Sequence, residues 1–395
     1  AAVPFFTTPV ILSGLGPGPY ALLSLVGSLV SQLNLLGFGA APASIKFMAE
    51  LDPKREPRKV EQVFGTALLI FLVTGLAGAV LLVLAAPFLS SFVLRLSPDL
   101  HEAAGFMFVC GAAAFFLQSI SASFQSAPRA LQRFDVVNAG ETGATLLTQL
   151  GACALLGLGL WVRALALWQA AVAALGLLYF YAAARRLLPG ISLSPRHDPE
   201  AMGRILRLGW SMFLGQAAWS VLNQLDKVVL AYYVPMDQLV HYIIPFTLAQ
   251  KLVLLLGPIL PVLLPFSSQL SNAADRPNAR RLMVSGTKVS FLILAPFAVL
   301  GCSFGPAFLE LWLGGGYSEH GGWILRWLIL ANLANGLSIV ASMIAVGFGR
   351  YQAPALLFCA LTAAVVLSWP VFVPRFGLIA AAVAYAAFQT LYAAG

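Results

Sequence analysis

Charge is what this sequence has least of. Asp, Glu, Lys and Arg together make up 10% of its 395 residues, and only 15 of them are acidic. Soluble globular domains carry about 25% charged residues. So few polar side chains cannot coat a water-soluble particle of this length, which excludes an array of two or three soluble domains. Cysteine is equally sparse. Cys110, Cys153, Cys302 and Cys359 all fall in apolar stretches without metal-type spacing. They read as small buried hydrophobes, so neither a disulfide framework nor a metal site is expected. Catalytic signatures are missing too: there is no Gly-Lys-Ser/Thr phosphate loop, no Gly-x-Ser-x-Gly and no Cys/His cluster. The Gly-Pro run ending at Tyr20 follows no strand and is no dinucleotide fingerprint. The expectation is a non-enzyme with no catalytic residue, metal or cofactor. A basic excess of 23 over 15 needs no nucleic acid to explain it, because basic residues collect in the cytoplasmic loops of membrane proteins.

What the chain has in quantity is hydrophobic side chains, 60% of the total, with a mean hydropathy of +0.87. A helix needs about 20 mostly apolar residues to cross about 30 Å of hydrocarbon. The run Ala1–Leu15 is too short for that and reads as the remainder of a first helix. Full spans are expected at Tyr20–Met48, Val63–Leu84, Ala103–Phe124, Ala139–Leu158, Ala164–Ala184 and Leu208–Tyr232. Five more follow at Gln238–Leu264, Lys288–Leu311, Gly322–Val346, Ala353–Val373 and Leu378–Leu391. The fold class is all-α: a polytopic membrane protein of about twelve transmembrane helices, the first incomplete.

Loop charges give the orientation. The segments after the second, fourth, sixth, eighth and tenth spans hold seventeen of the 23 basic residues, among them Lys54, Arg58, Arg129, Arg133, Arg185, Arg280 and Arg350. By the positive-inside rule, even-numbered helices end in the cytoplasm. No loop is long enough for a soluble domain; the longest, near Arg185–Arg207, reads as a linker between halves.

Those halves resemble each other. Val10–Leu51 and Val229–Leu270 align without a gap at an offset of 219, each with a helix-breaking cluster: Gly37, Gly39 and Pro42 in one, Gly257, Pro258 and Pro261 in the other. Pro87 and Pro306, and His101 and His320, keep that offset, while Arg133-Phe134 and Arg350-Tyr351 match at 217. Six helices separate equivalents, so both halves cross in one orientation, a parallel duplication of the kind that places substrate between two rocking lobes. The expected lobes are residues 1–190 (helices 1–6) and 191–395 (helices 7–12), pseudo-symmetric about a central cavity.

Residues 15–51, "LGPGPYALLSLVGSLVSQLNLLGFGAAPASIKFMAEL", resemble the start of Wzx-type polysaccharide (O-antigen) flippases of the multidrug/oligosaccharidyl-lipid/polysaccharide exporter superfamily. "NQLDKVVLAYYVP" is similar to their seventh helix and "RFGLIAAAVAYAAFQTL" to their twelfth. Ala21 departs from the pattern, which has Gly after Tyr20. The resemblance implies a bacterial inner-membrane flippase of undecaprenyl-pyrophosphate-linked oligosaccharide, coupled to H+ or Na+ and working beside polysaccharide polymerase and assembly proteins. Two sister activities stay open: a multidrug or organic-cation antiporter, and a peptidoglycan-precursor flippase.

Intramembrane charge is the best pointer to a site, since each such group costs about 2.5–3.5 kcal/mol on insertion scales. Asp226 and Lys227 are adjacent in the seventh span, and Lys251 in the eighth is the natural partner for Asp226. A structural ion pair and a cavity-facing charge are both open. Lys46, Arg129 and Arg133 end spans on the cytoplasmic side; they read as positive-inside anchors or as hosts for a pyrophosphate. Glu141 lies well within its span, as a cation carrier or as a partner for Arg129 or Arg133. Substrate-binding candidates are therefore Lys46, Arg129, Arg133, Lys227 and Lys251; coupling candidates are Asp226 and Glu141; Gln32, Asn223 and Gln224 are candidates for a polar lining. Gln32, Asn34, Gln250, Asn332 and Asn335 fall in spans, where interhelical hydrogen bonding is the default. His101 and His320 read as solvated, and Trp161, Trp168, Trp312, Trp323 and Trp369 as interfacial belts.

Overall fold

A computed structural model describes residues 3–37, 39–93, 98–220, 226–257, 276–314, 316–347 and 352–394. Among the described residues the chain is helical with no strand. The helices are α1 (Val3–Leu15), α2 (Pro17–Leu33), α3 (Ala40–Ala49), α4 (Pro57–Phe88), α5 (Pro98–Ala130), α6 (Phe134–Gly157) and α7 (Val162–Leu187). They continue with α8 (Pro199–Ser220), α9 (Asp226–Tyr233), α10 (Met236–Gln250), α11 (Arg276–Leu313), α12 (Tyr317–Gly347), α13 (Gln352–Phe376) and α14 (Leu378–Ala394). Among the described residues eight segments are long and apolar enough to cross a membrane, and α1 and α14 are shorter apolar helices. The chain is an all-α, multi-pass membrane protein.

Its packing divides into two units, Ala1–Val228 and Val229–Gly395. The offset of 219 residues recurs in the elements: Pro17 opens α2 and Met236 opens α10. Both α2 and α10 are followed by one tight 3-10 turn, Asn34–Gly37 and Val253–Leu256, again 219 apart. Gly39 shows why the break needs glycine. Its φ is +69°, and a Cβ there would run into the backbone of Gly209 on α8. Pro42 then falls in the first turn of α3, where its missing N–H costs nothing.

In the first unit, Phe64, Ala127, Ala184, Ala201 and Ile205 are fully or almost fully buried in one apolar cluster joining α4, α5, α7 and α8. The segment after α7 belongs to this cluster. Leu188 and Ile191 are buried in it, Ser192 N–H donates to Glu61 Oε1 (2.9 Å), Arg196 N–H to Gly65 O (3.1 Å), and Gln62 Nε2 to Asp198 Oδ2 (2.9 Å). A Cβ on Gly65 would collide with Ser194 O and Arg196. The expected linker is thus a strap docked along the start of α4.

Helices α6 and α7 are joined twice in the same way. Trp168 lies against Gly151 and donates its indole N–H to Leu147 O (2.8 Å); Tyr179 lies against Gly140 and donates its hydroxyl to Val136 O (3.0 Å). In each case the acceptor is the carbonyl four residues before the glycine. The two contacts are eleven residues apart on both helices, about three turns, so they share one face. Trp168 therefore bonds between helices.

The second unit centres on Tyr242, Phe246, Tyr385 and Phe388, all buried, with the Phe246 and Tyr385 rings 5.5 Å apart. Trp369 is 1% exposed and belongs to this interior, not to the belt expected from its place in the span; Trp161 and Trp323 remain exposed. Pro306 inside α11 has no N–H for the carbonyl of Cys302, four residues back, and Arg326 of α12 donates Nε to that carbonyl (2.9 Å) while its guanidinium covers the Trp323 ring. Cys359 is exposed, unlike buried Cys110, with Cys153 and Cys302 between; all four are free thiols. On an apolar membrane helix, exposure of a small hydrophobe carries little cost.

Candidate functional site

The first unit contains a cavity of about 360 Å³ enclosed by α2, α5, α6 and α7. Among the described residues its polar lining is mostly uncharged: Ser31, Asn34, Gln118, Gln125 and Gln169, with the single carboxylate of Glu141. Helical spacing produces this lining. Gly27, Ser31 and Asn34 recur at i, i+4 and i+7 from α2 into the turn after it, and Gln118, Ser121 and Gln125 at i, i+3 and i+7 on α5. Gly27 and Gly176 border the space with bare backbone, and a Cβ at either would meet nothing within 4 Å.

Glu141 does not stand alone. Arg129 of α5 forms an ion pair with Glu141 Oε1 through Nη2, and the same nitrogen donates to Gln125 Oε1 (3.2 Å). Both side chains are partly exposed, 36% for Arg129 and 50% for Glu141, so the pair is reachable from outside the protein. Of the two partners expected for Glu141, the structure selects Arg129. Arg133 turns away to Asp135, with Nε–Oδ1 2.9 Å and Nη2–Oδ2 2.8 Å. That two-pronged hydrogen bond holds the Asp135 carboxyl down at about 2. Lys46 faces Glu50 one turn on at 4.0 Å, both exposed. Neither Lys46 nor Arg133 lines the cavity.

Other expected residues lie elsewhere. Gln32 is not part of the lining; its amide donates to Ser220 O (2.9 Å) and accepts from Ser220 Oγ (2.7 Å), tying α2 to α8. Asn223 and Gln224 lie outside the described residues. Asn34 and Asn332 bond the carbonyls of Ser31 and Leu328 in their own chain segment, so neither spends its amide on another helix. Asp226 and Lys227, the first described residues of α9, are both buried. Lys251 follows α10 directly, is exposed, and makes no ion pair among the described residues. His320 is not simply solvated: its ring stacks on His241 at 5.1 Å, which itself meets Tyr317. Missed from sequence were the glutamines 118, 125 and 169. The seven-residue spacing of the first two within an apolar helix was the available signal.

The cavity offers amide and hydroxyl groups that both donate and accept, and one exchangeable ion pair. Such a lining suits a neutral, hydroxyl-rich group, and Arg129 suits an anion attached to it.

Comparisons agree with this architecture. Over 45% of the chain and 41% of the relative's own length, the sequence is 23% identical to a Shigella flexneri protein assigned by name as an O-antigen transporter. In fold it is similar to an inward-facing multidrug resistance MATE transporter of the MOP superfamily, with a TM-score of 0.77, 16% identity, and coverage of 100% of this chain and 92% of that one. It is likewise similar to the lipid II flippase MurJ, with a TM-score of 0.76, 14% identity, and coverage of 99% and 84%. A Pyrococcus furiosus transporter of the MOP superfamily matches at a TM-score of 0.63 and 15% identity, over 100% and 93%. The sequence profile of polysaccharide biosynthesis proteins matches residues 17–320, more than three quarters of the chain. The chain is a member of that family of polysaccharide biosynthesis proteins.

Proposed function

We propose that the protein flips a lipid-linked oligosaccharide, with undecaprenyl pyrophosphate as the carrier, from the cytoplasmic to the outer leaflet of a bacterial inner membrane by alternating access. The observation that supports this best is the character of the first unit's cavity. A multidrug or organic-cation antiporter needs acid and aromatic surface. Here the only carboxylate among the described lining residues is matched by Arg129, and the remaining polar groups are amides and hydroxyls suited to sugar. Family membership and the O-antigen transporter relative point the same way.

In this reading the glycan enters the neutral cavity and the pyrophosphate draws Arg129 away from Glu141. An anion bearing several oxygens competes well for a guanidinium fork. Glu141, released, is free to take H+ or Na+, and re-forming the pair expels the cation after the substrate leaves. Asp226 is the second carboxyl open to coupling. Lys46 and Arg133, at the end marked cytoplasmic by the basic loops, first attract the headgroup.

The test is complementation of a deletion strain, read as lipid-linked oligosaccharide accumulated on the cytoplasmic side. Arg129→Gln at normal protein level should leave the accumulation in place, and Arg129→Lys should relieve part of it. Full relief by Arg129→Gln removes Arg129 from the path. Normal surface polysaccharide in the deletion strain, with new sensitivity to organic cations, would assign the antiporter activity instead.

A further inference from the structure

The second unit carries a different kind of concavity, and it goes beyond the flippase reading. A groove of about 470 Å³ runs between α10 with its 3-10 turn, α11 and α12. Its walls are almost wholly apolar. Phe297, Leu300 and Phe304 of α11 are 53%, 53% and 65% exposed, so the groove is open to its surroundings. Gly301 and Gly305 keep the floor low because α12 lies against them: a Cβ at either would press on Ile329 or Leu325. Among the described residues one ionised side chain lines the groove, Lys251, and no acid does. An unmatched cation on an apolar wall within a membrane helix is costly unless an anion meets it.

The position of Lys251 along the helices defines what that anion is attached to. Leu256 and Leu294 meet over Gly336, which sets the level of α10's turn against α11. Lys251, five residues before Leu256 on a helix running the opposite way, is therefore level with residues near 299 or 300 of α11. Phe304 and Phe308 lie about 6–12 Å further along, away from the basic start of α11 at Arg280 and Arg281. The groove thus has its cation at the end nearer the basic start of α11 and an apolar trough running from it in the opposite direction.

We propose that this groove binds an anionic phospholipid of the cytoplasmic leaflet, its phosphate on Lys251 and one acyl chain along Leu300, Phe304 and Phe308. Charge complementarity selects the anion, since Lys251 is the one ionised side chain among the described lining residues. The trough selects an amphiphile over a free ion. Its direction matches a lipid whose head lies at the cytoplasmic side and whose chain points inward.

The experiment is native mass spectrometry of the purified full chain after exchange into mixed micelles of phosphatidylglycerol and phosphatidylcholine. The wild type should retain phosphatidylglycerol selectively. Lys251→Gln should lose that retention by about tenfold, the worth of one charge-assisted hydrogen bond, and Lys251→Arg should keep most of it. Thermal unfolding in the same micelles checks that each variant is folded, and Lys288→Gln controls for charge lost near the same end of α11. Filling the trough with Leu300→Trp should also cut retention. Equal retention of the two lipids, unchanged retention by Lys251→Gln, or an identical thermal shift from inorganic phosphate alone overturns the proposal. Displacement of phosphatidylglycerol by a much lower concentration of polyprenyl phosphate overturns it too, giving the groove to the carrier lipid.

Discussion

The same broken helix occurs twice in this protein, and the two copies differ most at one position. Gln32 and Lys251 are equivalent, each at the end of its helix, two residues before a 3-10 turn. In the first unit the amide is spent: Gln32 gives and takes a hydrogen bond with Ser220, closing that wall. In the second, the long cationic side chain is left open over apolar surface. Duplication supplied one backbone geometry, and the two copies filled it for opposite purposes. One copy borders a polar, neutral cavity; the other borders an apolar, cationic groove.

The strongest way to break the comparison is to fill the first cavity without touching the second groove. Gly27→Phe adds a ring where nothing lies within 4 Å and raises helix propensity, so the protein should insert and unfold normally. It should nevertheless abolish clearance of lipid-linked oligosaccharide in a deletion strain; wild-type clearance would remove the cavity from the path. Exchanging the equivalent residues sharpens the contrast. Gln32→Lys buries a charge among helices and strips Ser220 of its partner, and should cost about 3 kcal/mol in thermal or denaturant unfolding in detergent. Lys251→Gln should be neutral by the same measurement. Equal penalties would mean that the two positions do the same work.

A smaller effect is expected one layer away. Met107 stands where the second unit has Arg326, and only the second unit gives the proline-freed carbonyl an arginine. Arg326→Met should lower stability by about 1–2 kcal/mol, measured as the shift in unfolding midpoint. No shift would mean that the Cys302 carbonyl finds another donor.

The smallest effect belongs to Asp135. Its carboxyl is held at about 2, below the usual 3.8, so whatever it contributes is in place above the ordinary carboxylate range and is lost only as pH falls through that interval toward 2. Unfolding profiles of wild type and Asp135→Asn should therefore run parallel from pH 5 to 8. A divergence inside that window would contradict the assignment.

The all-α, multi-pass class and the helix break after α2 were legible in the sequence, because hydrophobic runs and Gly/Pro clusters act locally; the second break, at Pro258 and Pro261, lies outside the described residues. The Arg129–Glu141 pairing was legible only as one of two options, since spacing along a helix says nothing about which helix lies opposite. Trp369 looked interfacial by its place in the chain; packing between helices, which no one-dimensional pattern records, put it inside. The strap was hidden for a related reason. Polar residues such as Ser192, Arg196 and Asp198 resemble a solvated loop until the carbonyl of Gly65 and the side chains of Glu61 and Gln62 are seen to receive them.

The paired bonds between α6 and α7 have a mechanical consequence. A single hydrogen bond between two rods permits pivoting about itself. Two such bonds, three turns apart on the same seam, resist sliding, rolling and splaying together, because each of these motions would pull at least one aromatic ring off its glycine. The hairpin of α6 and α7 should accordingly behave as one stiff lever. Glu141 rides on that lever, whereas Gly27, Ser31 and Asn34 ride on a helix that ends in a soft 3-10 turn. Any breathing of the cavity should then come from the α2 side, with the wall that carries the carboxylate held still.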